Sequence, residues 1–228
     1  MKIGIIIADE LEFVPFADTV LSEYSVIKKV VLGYNCICFS VNNTEVTAFE
    51  SRIGKVNAAT CASILAVEGC DVILNAGLSG SVKGLRRGQL VIGKSYVEAD
   101  FDLSVLGLTP GEKPKQEYIY KADDKIVNIL KNITNAVVEP IGCGDFFITN
   151  DELKDKYHNI FGIAAFDMET GAIASVCHAA EIAFASIRKI SDGDEQSEDA
   201  AYEYRQMNDK METELYEILL KAVKELAV

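Results

Sequence analysis

The sequence predicts an α/β fold: one domain built on a largely parallel, mixed central sheet, with helices on both faces. Three observations predict it. Short apolar runs alternate with helical patterns along all 228 residues, the order that builds a sheet with helical crossovers. The first run, residues 3–8, is almost continuously apolar, as a strand covered on both faces must be. Asn42-Asn43-Thr44 separates two strand-like runs and reads as a hairpin, so the sheet is not purely parallel.

In chain order, the strand at 3–8 leads into a helix from about 10 to 23. Pro15 limits where that helix begins, since proline is tolerated only near a first turn. Residues 26–32, 35–41 and 45–49 read as strands. Residues 56–68 are helical and deliver the chain to a strand at 71–76, followed by the glycine turn Gly77-Leu78-Ser79-Gly80. Further strands are expected at 90–97, 137–141, 160–166 and 184–190, with helices near 123–132, 151–158 and 170–180. The last segment, 197–226, places Met207, Met211, Leu215, Leu219, Val223 and Leu226 on one helical face, a stripe for core packing. The loop 109–116, with Pro110, Gly111 and Pro114, looks mobile but is too short to divide domains.

Composition narrows the function. Nearly half the residues are hydrophobic, enough for a substantial core. Lys and Arg number 22 against 35 Asp and Glu, a formal charge of -13 that repels nucleic acid and anionic membrane. Trp is absent, which disfavours a stacking platform for single strands. A neutral or cationic small molecule remains open as a ligand. Cys36, Cys38, Cys61, Cys70, Cys143 and Cys177 form no CxxC pair, and only His158 and His178 accompany them. Reduced, buried thiols are expected, with no metal site. The opening apolar run is too short for a signal peptide and meets Asp9-Glu10, so a cytoplasmic protein is expected.

Ligands of open α/β sheets bind beyond the carboxyl ends of the strands. The segments there are Asp9, Glu10 and Glu12; Asn75-Ala76-Gly77-Leu78-Ser79-Gly80; Gly142-Cys143-Gly144-Asp145-Phe146-Phe147-Ile148; Asp167-Met168-Glu169; and Ser191-Asp192-Gly193-Asp194. Carboxylates thus converge on one rim beside two phenylalanines. Such a rim suits acid/base chemistry on a glycoside or nucleoside. Each acidic residue also has a plainer reading as a helix cap or solvated loop.

The residues match a known pattern along nearly the whole chain. Met1-Lys2-Ile3-Gly4-Ile5-Ile6 with Glu12, Ile53-Gly54-Lys55-Val56-Asn57-Ala58-Ala59, Asp71-Val72-Ile73-Leu74-Asn75-Ala76-Gly77, Gly144-Asp145-Phe146-Phe147-Ile148, Asp167-Met168-Glu169 and Arg188-Lys189-Ile190-Ser191-Asp192 stand in order. Together they resemble the methylthioadenosine/S-adenosylhomocysteine nucleosidases of the purine nucleoside phosphorylase/nucleosidase superfamily. The resemblance implies a three-layer α/β/α sandwich around a mixed sheet, a homodimer, and no cofactor. It implies hydrolysis of 5′-substituted adenosines by water. In that scheme Asp192 protonates N7 of the purine, Glu12 deprotonates the attacking water, and Glu169 binds the ribose hydroxyls above Met168. Phe147 stacks on the base, the Ile148 backbone meets its edge, and Ile53, Ser191, Leu78 and Asp9 line the site.

Some positions depart from the family. Phosphorylases resemble one another in an arginine before the glycine turn, where this chain has Asn75, and Leu78 replaces a usual hydroxyl. Water is therefore the expected nucleophile. Asp9, Ile7 and Arg52 replace smaller or apolar residues. Residues 101–108, which the resemblance sends into the neighbouring subunit's 5′ pocket, carry Leu103, Leu106 and Leu108 in place of aromatics. A futalosine-type hydrolase, a phosphorylase and a non-catalytic nucleoside-binding module are the alternatives.

Overall fold

The structure, a computed structural model, describes residues 1–192 and 209–228. Its centre is a mixed sheet of ten strands. β1 (Lys2–Ile7) runs parallel between β4 (Thr44–Glu50) and β5 (Val72–Ser81). Strand alternation sends Ile3, Ile5 and Ile7 to one face and Ile6 to the other, each fully buried. Burying such a side chain contributes about 1.5–3 kcal/mol, so β1 is held from both sides. On the first face pack α1 (Glu10–Glu23), α3 (Asp124–Ile133) and α6 (Asp209–Leu226). On the second pack α2 (Lys55–Val67) and α5 (Thr170–Ala179). The three-layer α/β/α arrangement is therefore present.

β4 continues through β3 (Tyr34–Val41) to β2 (Ile27–Val31), both antiparallel steps. Asn42 and Asn43 take φ of 48° and 67°, the two left-handed residues that a tight hairpin requires. Beyond β5 the sheet curls. β5 pairs with β10 (Ala183–Asp192), β10 with β6 (Leu90–Glu98), β6 with β8 (Val137–Cys143), β8 with β9 (Ala165–Asp167), and β9 again with β5. β5 is thereby a shared wall, and its carboxyl end is enclosed by the ring of strands.

Several expectations are corrected. β5 does not end at Ala76 but runs through the expected glycine turn, and neither Gly77 nor Gly80 has a positive φ. Its ladder to β10 carries on through these residues, with one register shift between Ile190 and Asp192, and cross-strand pairing outweighs a local turn preference. The strand expected at 160–166 is shorter and starts later: α4 (Asp151–Phe161) takes its first two residues and stops at Gly162, with φ 67°, and only 165–166 belong to β9. Pro15 lies well inside α1, because Asp9 starts the helix by accepting the Leu11 N–H at 2.9 Å. β7 (Ile119–Lys121) and a 3-10 turn at Ser104–Leu106 were not anticipated. The loop 109–116 is tied to the body, since Gly111 N–H bonds Phe101 O at 2.7 Å and Lys113 pairs with Glu98.

Leu215, Leu219, Val223 and Leu226 are buried against the body, as the stripe predicted. Residues 197–208, Met207 and the Met211 side chain lie outside the described residues. The cysteines are all unpaired, and only Cys38 is less than fully buried. No helix among the described residues is long and apolar enough to cross a membrane.

Candidate active site

One cavity of about 410 Å³ opens at the carboxyl ends of β1, β5 and β10. It gathers Asp9, Glu12, Ile53, Leu78, Phe147, Ile148, Met168, Glu169 and Ser191, residues scattered over most of the chain. Asp192 is not on the lining. Its carboxylate stands against Gly80 and Ser191, which are, and only 1% of the residue is exposed.

α1 carries Glu12 into the floor, where Oε1 accepts the Leu78 N–H at 2.8 Å. The approach requires Gly77: a Cβ there would lie 3.1 Å from the Glu12 carboxylate and 2.7 Å from Arg188 Nη1. Gly80 does the same for the acid at the other end, since a Cβ would sit 3.2 Å from both Asp192 oxygens. The glycines are thus places where carboxylates approach backbone, rather than elements of a turn. Glu169 immediately precedes α5, but its side chain bonds none of the helix's N–H groups; its Oε1 instead accepts the Gly54 N–H at 3.0 Å.

Between the carboxylates lies Arg188, 1% exposed. Its Nη2 donates to Asn75 Oδ1 at 2.5 Å, Nη1 to Leu78 O at 3.2 Å, and Nε to Ser186 Oγ at 3.1 Å. Asp167 lies 3.4 Å from Nε and Glu169 3.6 Å from Nη1. Asp167 is further held by the Glu169 and Thr170 N–H groups, both at 2.9 Å. Burial pushes the Glu12 carboxyl up to about 8, against the pull of Arg188 and the Leu78 N–H. Burial likewise raises Glu169 to about 7, with Arg188 opposing and Asp167 reinforcing. For Arg188 burial works in the lowering direction, but Asp167, Glu169 and Glu12 outweigh it and raise it. With one cation shared among buried carboxylates, Glu12 and Glu169 hold protons near neutral pH.

At the Asp192 end, Ser191 Oγ donates to Oδ1 at 2.7 Å, and Lys154 Nζ lies 3.7 Å from Oδ2. Phe146 and Phe147 divide their work. Phe146 packs on Phe166 with ring centroids 5.1 Å apart, while Phe147 remains 43% exposed at the mouth. Asp9 is both cap and lining residue.

Sequence reasoning assigned no role to Arg188, Asp167, Ser79 or Lys154. A charged residue inside the strand expected at 184–190 was the legible signal for Arg188. Ser79 lines the cavity with a buried hydroxyl that has no hydrogen-bond partner among the described residues. Lys154 gave no signal, because α4 alternates charges as any solvated helix does. Among the described residues no group of three His, Cys, Asp or Glu stands where a metal ion could be held.

A family model described as "Phosphorylase superfamily" matches residues 2–224. The chain belongs to the phosphorylase superfamily. Solved structures with the superfamily fold align over essentially the whole chain. The futalosine hydrolase of Helicobacter pylori matches with TM-score 0.91 and 24% identity, covering 99% of this chain and 98% of that one. A mutant 5′-methylthioadenosine/S-adenosylhomocysteine nucleosidase of the same organism, with 5′-methylthioadenosine in its active site, matches with TM-score 0.91 and 25% identity over 98% of each chain. The corresponding nucleosidase of S. pneumoniae, bound to a transition-state inhibitor, matches with TM-score 0.88 and 27% identity, over 99% of this chain and 100% of that one. In this chain Arg188 is hydrogen-bonded to Asn75, and Gly77 leaves room for Arg188 and Glu12 to approach.

Proposed function

We propose that this chain hydrolyses the N-glycosidic bond of 5′-substituted adenosines, methylthioadenosine and S-adenosylhomocysteine, to adenine and the 5′-substituted ribose. The observation that carries the reading is the placement of Glu12 and Glu169 at the floor of an apolar cavity, with Asp192 at its other end. Asp192 protonates N7, so the base departs neutral. Glu12, when deprotonated, takes a proton from the attacking water. Glu169, when deprotonated, holds the ribose hydroxyls, and its negative charge favours the positive charge that grows on the sugar. Phe147 stacks on the base and the Ile148 backbone reads its edge. The active protein is a homodimer in this reading, with residues 101–108 reaching the partner's site.

Water is favoured over phosphate for an electrostatic reason. The site does contain a cation, Arg188, but it is already committed to Asn75, Leu78 O, Asp167 and Glu169. An incoming dianion would face Glu12 and Glu169 without uncompensated positive charge to bind it. The test is a panel of purine nucleosides, with and without phosphate, analysed for free base and sugar. Free base with free 5′-substituted ribose, at a rate indifferent to phosphate, is expected. A ribose 1-phosphate product would replace hydrolysis by phosphorolysis, and binding without product would reduce the site to a nucleoside-binding module.

A further inference from the structure

Lys154 stands where an ordinary surface lysine would not. Its side chain is 12% exposed, and its ammonium lies 3.7 Å from Asp192 Oδ2. The Lys83–Asp155 pair, which uses the neighbouring residue of α4, is by contrast 54% and 61% exposed. α4 is fixed by Tyr157, whose ring stacks on Phe166 with centroids 5.8 Å apart. Phe166 lines the cavity. Lys154 precedes Tyr157 by three residues and so shares the helix face turned toward the site.

An ammonium so little exposed beside Asp192 is not needed for proton transfer from that acid. Its own chemistry suggests a different use. An ammonium has three donors and no acceptor. On a purine, N7 and the C6 substituent share one edge. With a 6-carbonyl that edge offers two acceptors; with a 6-amino group it offers an acceptor and a donor. A lysine beside the residue that meets N7 is therefore placed for the 6-carbonyl, the pairing lysine makes with that edge elsewhere. A 6-amino group would turn its N–H toward the ammonium, leaving Asp192 as the acceptor. Positive charge at this edge also stabilises the leaving base as it gains electron density from the breaking bond.

We propose that Lys154 is a specificity residue that shifts base recognition at the Asp192 end of the cavity toward 6-oxopurines. The inference rests on the reading that Asp192 meets N7. It sets the balance between the two base classes and leaves cleavage of 6-aminopurine nucleosides in place.

The test uses affinities of free hypoxanthine and free adenine for the intact protein, its Lys154→Met variant and its Lys154→Arg variant. Turnover of a 5′-substituted inosine and the matching adenosine is measured alongside. Lys154→Met is expected to lower hypoxanthine affinity relative to adenine by about 10-fold, the scale of one specific base contact, and to lower the inosine-to-adenosine ratio of kcat/KM in parallel. Lys154→Arg, which keeps charge and donors, is expected to restore much of the ratio. Equal weakening of both bases would overturn the proposal, leaving Lys154 as a prop for Asp192, and an unchanged ratio would overturn it too. A shifted binding ratio with no hydrolysis of any nucleoside would keep this inference and remove the catalytic reading.

Discussion

At the residue scale the site depends on protons held by buried groups. Glu12 has a folded value of about 8 against an ordinary 4.5, and Glu169 one of about 7. Between about pH 4.5 and pH 8 the native protein keeps protons that the unfolded chain has released. Stability is therefore full in acid below that window and falls as pH rises through it. Urea unfolding of the free protein is expected to show a loss on the order of a few kcal/mol from pH 5 to pH 8.5. Glu12→Gln should flatten part of that slope, and an unflattened slope would deny that Glu12 is protonated. The same value bears on catalysis, because a base must first lose its proton. In wild type, kcat/KM should rise with pH below about 8, up to tenfold per unit. Glu12→Gln should abolish turnover with nucleoside affinity largely kept. Asp192→Asn removes the proposed proton donor, and general acid catalysis is typically worth about 10²–10⁴-fold. The variant is expected to fold normally and lose that much; retention of more than about a third of the rate would contradict the role against that expectation.

At the scale of elements, the informative piece is the junction of β1 and α1. Asp9 caps α1 through the Leu11 N–H and also lines the cavity, so the two readings of this residue coexist in one place. Asp9→Met should cost about 1 kcal/mol of stability through the lost cap. It should also shift selectivity away from the ammonium-bearing tail of S-adenosylhomocysteine and toward methylthioadenosine, by about 1 kcal/mol in the ratio of kcat/KM. A stability loss with an unchanged ratio would make Asp9 a cap alone. β5 gives the complementary lesson. Its glycine-rich end looked like a turn because glycine usually marks one. In the structure the same residues stay in strand so that Glu12, Arg188 and Asp192 can press against bare backbone.

On the scale of the whole molecule, the exposed stretch at 101–108, with Val105 88% and Leu106 71% exposed, is where the proposed homodimer is open to test. Sedimentation should give twice the chain mass, and Leu106→Asp should weaken the dimer and raise KM for 5′-substituted nucleosides. A monomeric wild type of full activity would remove the partner from the site. The alternation of apolar runs and helical patterns determined by itself a central, largely parallel sheet covered on both faces, because strands covered on both faces demand unbroken apolar sequence. The motifs that end in Glu12, Glu169 and Asp192 marked which residues belong at the rim. Tertiary structure alone decided how they are used. Arg188 meets Asn75, Asp167 and Glu169 only because β5 and β10 pair in one register. Lys154 meets Asp192 only because α4 packs on Phe166. Burial and long-range charge set the proton affinities of such groups, and neither quantity is a property of the residues adjacent in sequence.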